Sequence, residues 1–120
     1  MKIRKIAVIS LWAQDVEGAA HFYQQVLGLQ MLPHHGPRPH FKVGETIITI
    51  LKSESPMKPQ EQSLRFPLLA FEVENLDEAV EHLKLHRVDL PWGIESDQDS
   101  RWVMFHDPAG NLLELAEFSR

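Results

Sequence analysis

Cysteine is missing from this chain altogether, which removes disulfides, thiolate nucleophiles and sulfur ligands for zinc or iron together. Any metal site must therefore be built from His, Asp or Glu. A chain without cysteine suits a reducing compartment, and a cytoplasmic location is expected. Long apolar runs are missing too. None approaches the ~20 residues of a membrane-spanning helix, so no membrane partner is expected. The basic start Met1-Lys2-Ile3-Arg4-Lys5 leads into an apolar stretch that stops at Gln14-Asp15 without a small-residue cleavage site, which argues against export. Positive charge is scarce: 12 Lys and Arg stand against 17 Asp and Glu, a net charge of −5. The basic residues are scattered, so the field repels a phosphate backbone and nucleic acid is not an expected partner.

What is present is an ordinary globular balance, 43% hydrophobic and 24% charged residues in a chain of 120, enough for one domain with a real core. Lys5 to Trp12 reads as a strand rich in Ile and Val. Asp15 then offers an N-cap for a helix carrying Val16, Ala19, Tyr23, Val26 and Leu27 on one face, and Gly28 ends it. Three prolines between Pro33 and Pro39 enforce a loop, after which His40 to Val43 and Thr46 to Leu51 form a hairpin around Gly44-Glu45. The serine-, proline- and charge-rich stretch of about 53–65 reads as a linker.

The second half restarts the pattern. Phe66 to Val73 reads as a strand, and Asn75-Leu76-Asp77-Glu78 has capping-box spacing ahead of a helix that buries Leu76, Ala79, Val80 and Leu83. Arg101 to His106, the turn Asp107-Pro108-Ala109-Gly110-Asn111, and Leu112 to Phe118 make a closing hairpin. The caps Asp15 and Asn75 stand 60 positions apart, half the chain. At that offset Val8 falls on Leu68, Ser10 on Ala70, Ala19 on Ala79 and Tyr23 on Leu83, which points to an internal repeat.

The opening run Ile9-Ser10-Leu11-Trp12-Ala13-Gln14-Asp15 through Phe22-Tyr23 to Leu27-Gly28-Leu29 resembles the first module of the glyoxalase, bleomycin-resistance and extradiol-dioxygenase (vicinal oxygen chelate) superfamily. The closing run Phe105-His106-Asp107-Pro108-Ala109-Gly110-Asn111-Leu112-Leu113-Glu114-Leu115 resembles the final hairpin of that superfamily. The resemblance implies an α+β domain over 1–120, made of two tandem βαβββ modules, about 1–52 and about 66–120, whose curved mixed sheet surrounds a cavity. It also implies a homodimer.

In metal-dependent members of that superfamily, four strand positions supply His, Glu or similar ligands. The resemblance carries them onto Val8, a residue near Thr49, Leu68 and Glu114. Only Glu114 keeps strong ligand chemistry, and Val and Leu have no lone pair to give. A divalent metal is therefore not favoured, and Glu114 stands as the candidate catalytic or metal-binding residue: buried without a metal, it would serve as general base or hydrogen-bond anchor. Strand alternation places Ser10 and Trp12 on the face of Val8, and Ala70 and Glu72 on that of Leu68. With Thr49 and Trp102 these form an expected lining, mostly small or apolar, for a small-molecule ligand between the modules.

The seven histidines suggest metal more weakly. His34 and His35 in the proline-rich loop read as solvated, His82 and His86 as surface residues at i and i+4, and His106 as a partner for the Asp-Pro turn. A substitute metal site joining His40 or His106 to Glu114 stays open. Trp12, Trp92 and Trp102 serve either the core or stacking on a flat ligand, and Arg38 or Arg101 is available to a ligand carboxylate. The leading expectation is a small-molecule-binding protein like the drug-sequestering branch of the superfamily, with the usual metal site largely lost. The alternative is a metal-dependent lyase, isomerase or dioxygenase with a rearranged ligand set. Whether the chain is an enzyme stays open.

Overall fold

A computed structural model describes residues 1–33, 36–54 and 68–119. His34, His35, most of the expected linker and the first two residues of the expected Phe66 strand lie outside them. The chain divides into two compact units, Met1–Met57 and Lys58–Arg120, and each contains one four-stranded mixed sheet with its own helix.

In the first unit, β1 (Val8–Ala13) leads to α1 (Val16–His21), a π-helical turn (Phe22–Val26), and the strands β2 (Gln30–Leu32), β3 (His40–Val43) and β4 (Thr46–Lys52). Asp15 starts the helix by accepting the Gly18 amide at 3.0 Å, and an added Cβ at Gly18 would collide with that carboxylate. The Leu27 amide reaches back five residues to the Phe22 carbonyl, which widens the last turn. Gly28, at φ 72°, then reverses the chain in a conformation that side chains with Cβ rarely adopt. Strands β2, β3 and β4 form an antiparallel meander that returns β4 to lie parallel to β1, giving the order β1-β4-β3-β2. The helix lies against β4. Tyr23 and Phe41, neither with any exposed surface, meet in the core with ring centroids 5.9 Å apart.

The second unit repeats the plan: β5 (Leu69–Glu72), α2 (Leu76–Leu85), β6 (Ile94–Ser96), β7 (Ser100–His106) and β8 (Leu112–Phe118), in the order β5-β8-β7-β6. The Asn75 side chain accepts the Glu78 amide at 3.1 Å. The Leu76 amide, another group left open at the helix start, donates to Glu117 Oε1 at 2.9 Å. Leu76, Val80 and Leu83 are buried beneath the helix, and Val103, Phe105, Leu113 and Leu115 are buried in β7 and β8. The closing turn is organised by Asp107, which is itself buried. Its Oδ1 accepts the Ala109 and Asn111 amides, and its Oδ2 accepts the Asn111 side-chain amide.

The two-module architecture agrees with the sequence reading, and the differences lie at boundaries. Strand β1 begins at Val8 rather than Lys5, because pairing starts only where Ile47 and Thr46 reach back to the carbonyls of Ala7 and Ile6. Strand β6 is the strand that the βαβββ plan implies between helix and hairpin, but the sequence reading assigns no residues to it. Three residues are too short for an alternation to stand out, and what pins them is the turn beyond, where Asp97 Oδ1 accepts the Asp99 and Ser100 amides.

Candidate functional site

Each sheet has one face against its helix and one open face, and register decides which side chains share the open face. In the first unit Leu11 and Ala13 turn inward while Val8 and Trp12 are 54% and 52% exposed. Ser10 is level with Thr49, and Thr49 with His40, so these three form a row across β1, β4 and β3. Val8 is level with Ile47, and Trp12 with Leu51. Thr49 is buried, and its hydroxyl donates to the Pro39 carbonyl at 3.0 Å, a bond that commits its hydrogen to the chain's own loop.

The equivalent row of the second unit runs Ala70, Glu114, Met104 across β5, β8 and β7. One step along the strands lies the row Glu72, Ala116, Trp102, Glu95. One step the other way is His106, level with Leu112. The open face therefore carries Glu72, Glu95, Glu114 and His106 together with Trp102 and Met104. Burial pushes the Glu114 carboxyl above the ordinary carboxylate range, and the charge of Glu95 pushes it further the same way. Glu95 Oε1 and His106 Nε2 are both buried and have no hydrogen-bond partner among the described residues. The His106 ring lies 5.9 Å from that of Trp92.

These positions correct two readings from the sequence. His106 Nε2 does not hold the Asp-Pro turn, because Asp107 supplies those bonds from within it. Arg101 lies on the helix side rather than on the open face, in a surface ion pair with both carboxylate oxygens of Asp77 at 2.9 and 3.2 Å and 3.7 Å from Glu117. That pairing holds the Asp77 carboxyl below its usual range. A cleft of about 630 Å³ opens beside the ends of β5 and β8, lined by Glu72, Val73, Glu74, Glu117 and Phe118.

Ser10, Trp12 and Val8 share one open face, and Ala70, Trp102 and Glu114 share the other, each within its own unit; Leu68 precedes β5. Glu95 escaped the sequence reading because it sits on the unrecognised β6. The repeat held the clue, since β2 lies between helix and hairpin in the first unit and a matching strand was due in the second.

A metal of the kind the resemblance implies does not fit these residues. Val8 and Leu68 have no donor atoms, and the Thr49 hydroxyl is engaged with Pro39. Among the described residues no three His, Asp or Glu side chains are grouped so as to hold a metal ion.

Comparison with known proteins agrees with this architecture. The model of the Glyoxalase/Bleomycin resistance protein/Dioxygenase superfamily matches residues 5–115. The uncharacterized protein YaeR of Escherichia coli strain K12 is 30% identical, covering 96% of this chain and 97% of that protein. A glyoxalase/dioxygenase from Nostoc punctiforme superposes with a TM-score of 0.83 at 24% identity, over 98% of this chain and 92% of that one. An antibiotic binding protein from Streptomyces sp. CB03234 does so with a TM-score of 0.81 at 24% identity, over 99% of each chain. At such identities the structural likeness shows the fold alone.

Proposed function

This chain belongs to the glyoxalase, bleomycin resistance protein and dioxygenase superfamily, and from that premise we propose that it binds a small, partly apolar molecule without the superfamily's usual metal. The observation that carries this reading is the chemistry at the four ligand positions, where Val8, Thr49 and Leu68 leave Glu114 as the sole carboxylate. One carboxylate falls short of the three protein ligands a catalytic zinc site uses. Each open face by itself offers what a small-molecule site needs: apolar and aromatic surface, from Val8 and Trp12 on the first sheet and from Trp102 and Met104 on the second, with a few polar groups among it. The antibiotic binding protein from Streptomyces supports the same direction, because its fold serves to bind a compound. The protein acts as a cytoplasmic homodimer in this reading. No helix among the described residues is long and apolar enough to cross a membrane.

The test is metal content and titration of untagged protein with Mn, Fe, Ni and Zn, for the native chain and Glu114→Ala, alongside a thermal-shift screen of small organic compounds. Substoichiometric metal and saturable shifts by a compound are expected. Stoichiometric metal binding that Glu114→Ala abolishes would overturn the reading and restore lyase, isomerase or dioxygenase chemistry.

A further inference from the structure

The geometry points to an organic cation as the ligand class of the second sheet's open face, its amine N–H groups donating to Glu95 and Glu114 and its apolar frame lying on Trp102 and Met104. This deepens the small-molecule reading above and rests on it. Glu95 Oε1 is a buried acceptor without a partner among the described residues, and leaving such an atom unsatisfied is costly. A ligand donor satisfies it. The register puts Glu95 level with Trp102 and Glu114 level with Met104 on the adjoining row, so an aromatic ring and a soft thioether lie between the two carboxylates. Ala116, level with Trp102 and nearly without side chain, leaves the indole room beside it. An ammonium near such a ring gains from the ring's quadrupole as well as from the carboxylates.

Charge selects the sign of the ligand. The ionisable groups on this face are Glu72 from β5, Glu95 from β6, His106 from β7 and Glu114 from β8, three carboxylates and one imidazole. Arg101, the cation carried by β7, is held on the other face by Asp77. An anionic ligand would add to the repulsion already felt between Glu95 and Glu114, whereas a cation relieves it. A metal ion is the poorer cation here, because no three of these side chains are grouped to hold one.

The experiment compares three probes of one shape by calorimetry on the full chain at neutral pH: 1-naphthylmethylammonium, 1-naphthoate and the neutral 1-naphthylmethanol. The ammonium is expected to bind about tenfold or more tighter than the naphthoate, with a preference that shrinks in high salt. Glu95→Gln and Glu114→Gln should each lower ammonium affinity about tenfold while changing naphthylmethanol affinity far less, because the amide oxygen that replaces the carboxylate still accepts the alcohol O–H. Circular dichroism shows that the variants remain folded. Equal binding of ammonium and naphthoate, or an ammonium affinity indifferent to Glu95→Gln, would overturn the inference while naphthylmethanol binding preserved the small-molecule reading. If none of the three probes bound and the compound screen were also empty, the small-molecule reading would fall with it.

Discussion

The middle strands of the two modules differ at one level. Ser10, Thr49 and His40 stand in a row across the first sheet where Ala70, Glu114 and Met104 stand across the second. Backbone register is the same in both, so the repeat fixes where a side chain points but not what chemistry it brings. In the first module the polar group has turned to its own loop, Thr49 bonding Pro39. In the second, Glu114 is a half-buried carboxylate within the field of Glu95, and in our proposal that asymmetry is what suits the second face to a cation.

The sharpest way to probe how alike the modules are is to hollow out both cores. Phe41 in β3 and Phe105 in β7 are each fully buried, so Phe41→Ala and Phe105→Ala should each cost about 3–5 kcal/mol in urea unfolding. A loss under about 1 kcal/mol for either would show that its module does not pack as described.

The hairpin turns should behave less equally. Asp107→Ala removes three hydrogen bonds from a buried carboxylate and should cost about 3 kcal/mol. Gly44→Ala, at the matching turn of the first module, meets only the strain of φ 58° and should cost about 1 kcal/mol. Thermal melts of the two variants check the order, and a larger loss at Gly44 would reverse the comparison.

The helix caps should be alike again. Asp15→Ala and Asn75→Ala each lose one side-chain bond to an amide at a helix start and should cost about 1 kcal/mol. Equal shifts in urea midpoint are the expected result.

The smallest effect is the most specific. Because the folded state raises the Glu114 pKa, it holds that proton more tightly than the unfolded chain does. The associated stability is present in full below the ordinary carboxylate value and is lost as pH rises through the raised one. Glu114→Gln never acquires the buried charge, so it should melt slightly higher than the native chain near neutral pH, with the gap closing near pH 4. A gap independent of pH would mean that Glu114 is not strained by burial and Glu95. Thr49→Val, at the same level of the other sheet, should show a small loss with no such pH dependence.

Much of the fold was legible because its signals are local. Asp15 and Asn75 cap helices by bonding amides three residues on, Gly28 supplies a positive φ, and the Asp107 turn closes within five residues. Interactions of that range are written in adjacent letters. The shift of β1 to start at Val8 was not legible because it follows from pairing with β4, distant in the sequence, and β6 was not placed because three residues are too few for an alternation to stand out, although its partner β7 follows directly. The candidate site divided along the same line. Glu114 stood out as a carboxylate inside an apolar strand, and alternation placed Ser10 and Trp12 on one face. Glu95 remained hidden, His106 Nε2 does not make the turn bond expected of it, and Arg101, open between a ligand and the surface in the sequence, is in a surface ion pair with Asp77.

By itself, then, the sequence determined the two-module repeat, the helix and turn boundaries, and the presence of side chains without donor atoms at Val8 and Leu68, because composition and short-range hydrogen bonding suffice for these. Only the tertiary structure decided that Glu95 lies beside Glu114 and Trp102 on one open face while Arg101 is held on the other. Such neighbours come from the register across β6, β7 and β8 and from which side of the sheet the helix covers, and the letters of a single strand carry neither.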